Sequence, residues 1–159
     1  MKGHIEIKSA VIGAVLVLAL VLLAGSTHEG DEGPILDAFT HLLADYPDAL
    51  LVLVPRHPER FSRSAQAARE HGLQVFLRSQ GPACPAGTQC FVIDAMGELL
   101  RYYAACDIAF VGGSFEAIGG HNPLEPAALG RPVVVGPHTF NFAEITRQLL
   151  ECGAAIQVA

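Results

Sequence analysis

The segment Phe110-Val111-Gly112-Gly113-Ser114-Phe115-Glu116-Ala117-Ile118-Gly119-Gly120-His121-Asn122-Pro123-Leu124-Glu125-Pro126 holds the densest set of residues able to cradle a ligand. An apolar run enters two glycine pairs, and glycine, lacking a Cβ, lets backbone close on a bound group. Asn122-Pro123 then has the form of a helix start, because Asn is a favoured N-cap and Pro is tolerated at the first helical position. The free N–H groups and positive dipole end of such a helix attract anions. Glu125 follows Asn122 by three, a spacing that suits a capping box and equally a bond to a sugar hydroxyl. The chemistry implied is a phosphate held by backbone and a ribose held by a carboxylate.

Further polar segments interrupt apolar runs elsewhere. In Pro55-Arg56-His57-Pro58 the planar guanidinium of Arg56 suits phosphate or carboxylate, although a solvated Arg in a turn would read the same alone. His57 is open between an anion contact and turn structure. In Asp94-Ala95-Met96-Gly97-Glu98, Asp94 is expected to cap a helix, while exposed backbone could read the edge of a base. Met96 stands evenly between core packing and a nucleobase contact. Ser26-Thr27-His28-Glu29-Gly30 contains Ser and His without the elbow or triad spacing of covalent catalysis, so a polar cleft wall is expected. Gly136-Pro137-His138-Thr139-Phe140-Asn141-Phe142 reads as a turn that Asn141 caps into a helix, with or without a role at the site. The dinucleotide fingerprint Gly-x-Gly-x-x-Gly after a first strand is absent, and so is a Walker Lys.

The elements that must position these segments alternate between strand and helix. Strands are expected over residues 17–24, 50–54, 73–77, 90–93, 108–111, 132–135 and 154–158. Helices are expected over residues 34–45, 58–71, 97–105, 123–129 and 142–152, with a loop at 78–87. Such alternation predicts an α/β fold with right-handed crossovers and a mostly parallel sheet. Each of the polar segments directly follows a strand, so all should line one edge, where open α/β sheets bind ligands.

At 159 residues the chain has the length of one domain. With 51% hydrophobic and 16% charged residues, global disorder is excluded. A formal net charge of −6 argues against a nucleic-acid partner, which would need a basic stripe. The four cysteines form no C-x-x-C pair and are expected to be free thiols, although Cys84 and Cys90 are spaced to close a small loop. The seven histidines are scattered, and no metal site is expected. Residues 10–24 are apolar throughout, with Lys2 and Lys8 upstream, as in a signal peptide or short anchor. A buried parallel strand over residues 17–24 accounts for the end of that run better.

Six motifs recur in order: Ser-Thr-His-Glu-Gly (26–30), Val-Pro-Arg-His-Pro-Glu-Arg-Phe (54–61), Met-Gly-Glu-Leu (96–99), Phe-Val-Gly-Gly-Ser (110–114), Gly-Gly-His-Asn-Pro-Leu-Glu-Pro-Ala (119–127) and Gly-Pro-His-Thr-Phe-Asn-Phe (136–142). In this the chain resembles the C-terminal half of the 3-deoxy-D-manno-octulosonic acid (Kdo) transferases, lipid A glycosyltransferases of Gram-negative bacteria. The resemblance covers residues 24–159. It implies the Rossmann-like C-terminal half of a GT-B glycosyltransferase that binds CMP-Kdo, with residues 1–16 an unmatched segment and residues 17–159 a donor-binding domain truncated at its C-terminal end. It also implies that Pro55, Arg56, Met96, Gly97, Glu98, Asn122, Pro123, Leu124 and Glu125 contact the CMP moiety, while Gly119, Gly120 and His121 shape the same loop. Transfer of Kdo to a lipid A precursor in lipopolysaccharide biosynthesis would proceed by direct displacement, with no metal and no further cofactor. The family's N-terminal acceptor domain, with its catalytic base and membrane-proximal surface, does not match any part of the chain. No catalytic residue is therefore expected here. The implied setting is the cytoplasmic face of the inner membrane for the whole transferase, and the cytoplasm for this portion alone. Glu116 departs from the expected apolar stretch and would mildly repel an anionic donor. Two other readings stay open: a GT-B domain using another nucleotide sugar, such as a UDP-linked one, and a non-catalytic nucleotide-binding module anchored through residues 10–24.

Overall fold

The computed structural model describes residues 19–159. Within them β1 (Val21–Thr27), β2 (Leu50–Pro55), β3 (Val75–Leu77), β4 (Cys90–Val92), β5 (Ile108–Val111), β6 (Val133–Val135) and β7 (Ala155–Gln157) form one sheet in the order β3-β4-β2-β1-β5-β6-β7. Every pairing is parallel. The helices are α1 (Glu29–Leu42), α2 (Phe61–Glu70), α3 (Leu99–Ala105), α4 (Leu124–Ala128) and α5 (Ala143–Glu151). This is the Rossmann-like α/β sheet expected from the alternating pattern.

Parallel strands bury both faces under their crossovers, which is why they read as unbroken apolar runs. All six residues of β2 are buried. Side chains alternate between the faces. Val21 and Leu23 pack with Val52, Phe91, Tyr102 and Tyr103 on the side covered by α3. Ala24 packs with Leu51, Leu53, Leu36, Phe39, Ala65 and Ala68 on the side covered by α1 and α2. A smaller cluster of Val111, Val133, Val135 and Ala155 rests against Leu149 and Leu150 of α5.

The chain leaves β1 toward β2, β4 and β3, then crosses back to place β5 on the other side of β1. The strand order therefore reverses between β1 and β5, and a crevice opens at the carboxyl ends of these two strands.

Several local expectations need correction. The first helix starts at Glu29 and contains Pro34 in its interior, rather than opening there. The expected helix over 58–71 is a 3₁₀ turn, Pro58–Arg60, followed by α2. Asp94 does not cap α3: it accepts the Ser79 backbone N–H at 2.8 Å and the Ser79 hydroxyl, fixing the 3₁₀ turn Arg78–Gln80. Asn141 does not cap α5, where Phe142 holds the cap position with no side-chain bond. Cys84 and Cys90 form no disulfide and pack into clusters on opposite faces of the sheet. Burial pushes the Cys84 thiol up to about 11 and the Cys90 thiol up to about 12. Of the apolar run over residues 10–24, expected as an anchor, a signal or in its last part a strand, residues 10–18 lie outside the described residues, as does the segment 1–16, and the strand itself is Val21–Thr27 rather than 17–24. Among the described residues no helix is long and apolar enough to cross a membrane.

Candidate functional site

The crevice is built from the first turn of α1. Near the end of strand β1, Ser26 is held at φ 55° in the left-handed region, and the register against β2 shifts between Gly25 and Thr27. The turn brings three carboxylates, Glu29, Asp31 and Glu32, to the positive end of the α1 dipole. Asp31 is fully buried. One of its oxygens accepts the His28 N–H at 2.8 Å and the Gly113 N–H at 2.7 Å, and the other accepts the Phe115 N–H at 3.1 Å. Glu32 accepts from the Thr27 hydroxyl at 3.1 Å, the Ser64 hydroxyl at 2.7 Å and the Arg60 guanidinium at 2.8 Å. Arg60 also reaches Glu29 at 3.0 Å. These acids join the ends of β1 and β5 to the segment that follows β2.

The glycine segment follows from that scaffold. A Cβ on Gly112 would overlap the Ser26 carbonyl oxygen and lie 2.7 Å from the carbonyl carbon, so only glycine lets β1 and β5 approach this closely. The segment then folds back on itself, with Gly120 N–H donating to Gly113 O at 2.8 Å and His121 N–H to Gly112 O at 3.0 Å. Gly112 N–H donates to Gly25 O at 2.8 Å. The N–H groups of Gly112, Gly113, Phe115, Gly120 and His121 are thus already engaged within the protein, two of them by Asp31. Asn141 N–H donates to Gly119 O at 3.0 Å, and its side-chain amide donates to Ile118 O at 3.0 Å and Gly120 O at 3.4 Å. Asn141 belongs to this loop, and not to the helix it precedes.

Asn122 and Glu125 do not form a capping box. The Asn122 Oδ1 accepts the Leu124 N–H at 3.0 Å, Pro123 takes the cap position, and α4 has only five residues. A helix this short contributes little dipole, which weakens the expected anion site there. The Glu125 carboxylate has no hydrogen-bond partner among the described residues and faces the cleft.

The cleft occupies about 420 Å³ at the carboxyl ends of β1, β2, β4 and β5. Of the residues singled out from the sequence, Pro55, Arg56, Met96, Gly97, His121, Asn122 and Glu125 line it. Arg56 is exposed and unpaired among the described residues. Met96 is 56% exposed at the rim, so it does not pack in the core. Glu98 lies beside the cleft with its carboxylate engaged by Arg78 at 2.9 and 3.1 Å and by the Tyr102 hydroxyl at 3.1 Å. Gly119 and Gly120 adopt φ 102° and 78° and turn the loop against Phe140 and His138. Pro123 is buried behind the wall and Leu124 points outward, 44% exposed. Tyr103, which sequence reasoning missed, forms the floor. It fits because Gly25 has no Cβ, which would come within 2.8 Å of the ring. Burial, then the facing Glu125 carboxylate, pushes the Tyr103 hydroxyl well above its ordinary range.

At one end three imidazoles gather. The His28 and His121 Nε2 atoms are 2.8 Å apart, and the two rings lie nearly parallel, with centroids 5.1 Å apart and an interplanar angle of 7°, so they meet edge to edge. The His57 ring meets His28 edge-on at 5.4 Å. Burial lowers both His28 and His121 below the ordinary imidazole value, and in His121 the neighbouring His28 and Arg56 add to it. For His28 the Asp31 carboxylate partly opposes the shift. Among the described residues no three His, Cys, Asp or Glu side chains converge as metal ligands. Glu116 does not point into the cleft: its side chain packs over Gly30, where no Cβ stands in the way.

No protein-family model matches the chain. Among curated proteins it is similar to the 3-deoxy-D-manno-octulosonic acid transferase of Haemophilus influenzae, 48% identical over 138 residues, covering 87% of this chain and 32% of that protein. The corresponding transferase of Bordetella pertussis is 42% identical over 142 residues, covering 86% and 33%. Among solved structures, the C-terminal CMP-Kdo binding domain of WaaA from Acinetobacter baumannii superposes with a TM-score of 0.89 at 35% identity, covering 99% of this chain and 83% of that domain. The chain belongs to the Kdo transferase family. It spans about a third of the length of the curated Kdo transferases it matches. An O-GlcNAc transferase variant from Thermobaculum terrenum, with a TM-score of 0.52 at 20% identity, shares the fold alone. Within the Kdo transferase fold, the motif 54–61 divides its two arginines between tasks. Arg60 is bonded into the scaffold, and Arg56 is left for the cleft.

Proposed function

We propose that this chain is the donor-binding half of a Kdo transferase and holds CMP-Kdo in the cleft at the β1–β5 switch point. The observation that carries this reading is the convergence of Arg56, Met96, Gly97, Asn122 and Glu125 on one cleft. Arg56 meets the phosphate, since its guanidinium is exposed and has no internal partner. Glu125 accepts from the ribose hydroxyls, because its carboxylate is the unengaged acceptor of the cleft wall. The turn at Met96 and Gly97 meets the base with backbone, under the exposed Met96 side chain. Pro55 and the segment Gly119, Gly120, His121, Pro123 and Leu124 shape the walls. Glu98, bound by Arg78, holds the base-contacting turn in place.

The whole transferase moves Kdo from CMP-Kdo to a lipid A precursor at the cytoplasmic face of the inner membrane. The acceptor surface and the catalytic base lie in the part of the transferase that this chain does not span. The test is thermal protection of the chain by nucleotides. CMP should raise the melting temperature more than UMP or AMP, and Arg56→Ala and Glu125→Ala should abolish the shift. No shift with millimolar CMP, or an equal shift with UMP, would refute the cytidine assignment.

A further inference from the structure

The imidazoles of His28 and His121 pair at the end of the cleft, with their Nε2 atoms 2.8 Å apart. Their geometry restricts how many protons they can hold. A bond between two Nε2 atoms needs one N–H and one lone pair. Two neutral rings carry two ring protons, one of them within the bond. A third proton turns the donor ring into an imidazolium and strengthens the bond, because its donor is then charged. A fourth would set N–H against N–H across 2.8 Å. The hydrogen-bonded pair therefore has room for one positive charge and no more.

Among the described residues nothing neutralises that charge by direct contact. The groups facing the pair are Asp31 on α1, Arg56 and His57 after β2, and Glu116 after β5. Both Asp31 oxygens are taken by backbone N–H groups. Glu116 is spread over Gly30. Neither carboxylate hydrogen-bonds to a ring, while Arg56 and His57 add positive or titratable groups on the open side. His121 lines the cleft, so the pair borders the space a ligand would occupy.

We propose that His28 and His121 form an anion receptor of the donor subsite, which takes up one proton when an anionic oxygen of the ligand binds beside it. The proposal rests on the nucleotide-sugar reading of the cleft. In the free protein burial disfavours the charged form of both rings, and at His121 the neighbouring His28 and Arg56 add to this. A bound anion reverses the balance, because an opposite charge at contact distance favours the protonated form. Affinity then rises as pH falls through the pair's bound-state value, and levels off below its free-state value. Over the sloping range it should change about tenfold per pH unit, the slope for one linked proton. The two rings titrate as one group.

The anionic oxygen can come from the nucleotide phosphate or from the carboxylate of the sugar acid. Calorimetric titration of the full 159-residue chain with cytidine, CMP and CMP-Kdo, in two buffers of different ionisation heat at pH 7.5, separates these sources. Cytidine should bind with no proton uptake. Uptake of about one proton with CMP assigns the phosphate, and uptake with CMP-Kdo alone assigns the carboxylate. Either His28→Gln or His121→Gln should abolish uptake and flatten the pH slope, whereas His57→Gln should keep both. Nitrogen-15 imidazole shifts of the unsubstituted chain provide the same reading without a variant that must fold: the midpoint of the pair should move upward on binding. CMP and CMP-Kdo binding without proton uptake, or uptake persisting in both Gln variants, overturns the receptor while leaving the nucleotide reading intact. Failure of all three ligands to bind at any pH overturns both.

Discussion

Asp31→Ala should destabilise the fold far more than a surface acid would. The substitution removes the acceptor of three backbone N–H groups, those of His28, Gly113 and Phe115. The His28 N–H lies at a helix start, where water can replace the carboxylate. Gly113 is buried and Phe115 half-buried, so their donors are left largely unsatisfied. Each such orphan costs about 1–3 kcal/mol, which places the loss at about 4 kcal/mol. That is a large part of the roughly 5–15 kcal/mol by which domains of this kind are stable. With a urea slope of about 2 kcal/mol/M, the unfolding midpoint should fall by about 2 M. The chain has no Trp, so far-UV circular dichroism is the suitable probe. Asp31→Asn, which keeps one acceptor oxygen, should lose about half as much. A midpoint shift below about 0.5 M for Asp31→Ala, with an unchanged slope, would refute the argument that this carboxylate holds the glycine segment.

Further outcomes follow from the same contacts. Gly112→Ala should lower stability by about 1–3 kcal/mol, because its Cβ would meet Ser26 and Thr27 backbone that cannot step aside; a calorimetric melting point equal to that of the parent would contradict this. Of the four thiols, the exposed Cys152 should react with Ellman's reagent at once, while Cys84, Cys90 and Cys106 should react only on unfolding. A second fast thiol in the native protein would argue against that packing. Stability should fall as pH drops below about 6.5, since unfolded imidazoles protonate there while His28 and His121 resist it. The loss ends below the folded-state value of the pair, and replacing both histidines by Gln should flatten urea midpoints measured across that range.

The sheet was legible because parallel strands bury both faces, so runs such as Leu50–Pro55 announce themselves without periodicity. Residues that follow strands were legible for a topological reason, as the crossovers bring all strand ends to one edge. What stayed hidden were partners chosen by tertiary contact. Asp94 and Asn141 sit where a helix cap is favoured, yet each bonds a loop distant in sequence. Asp31 and Glu32 escaped notice because Pro34 drew the expected helix start to itself. The cluster Glu29-Gly30-Asp31-Glu32 directly after an apolar strand was the available signal, since acids favour a first turn. The pairing of His28 with His121, 93 positions apart, has no signature in local spacing.

The closed hydrogen bonding of the glycine segment has a kinetic consequence. Because Gly112, Gly113, Gly120 and His121 already spend their N–H groups within the protein, the wall stands before any ligand arrives. Binding then has no loop to organise and little conformational entropy to lose there. Stopped-flow traces with CMP should accordingly show one phase, with a rate that grows linearly with concentration and no plateau from a preceding rearrangement.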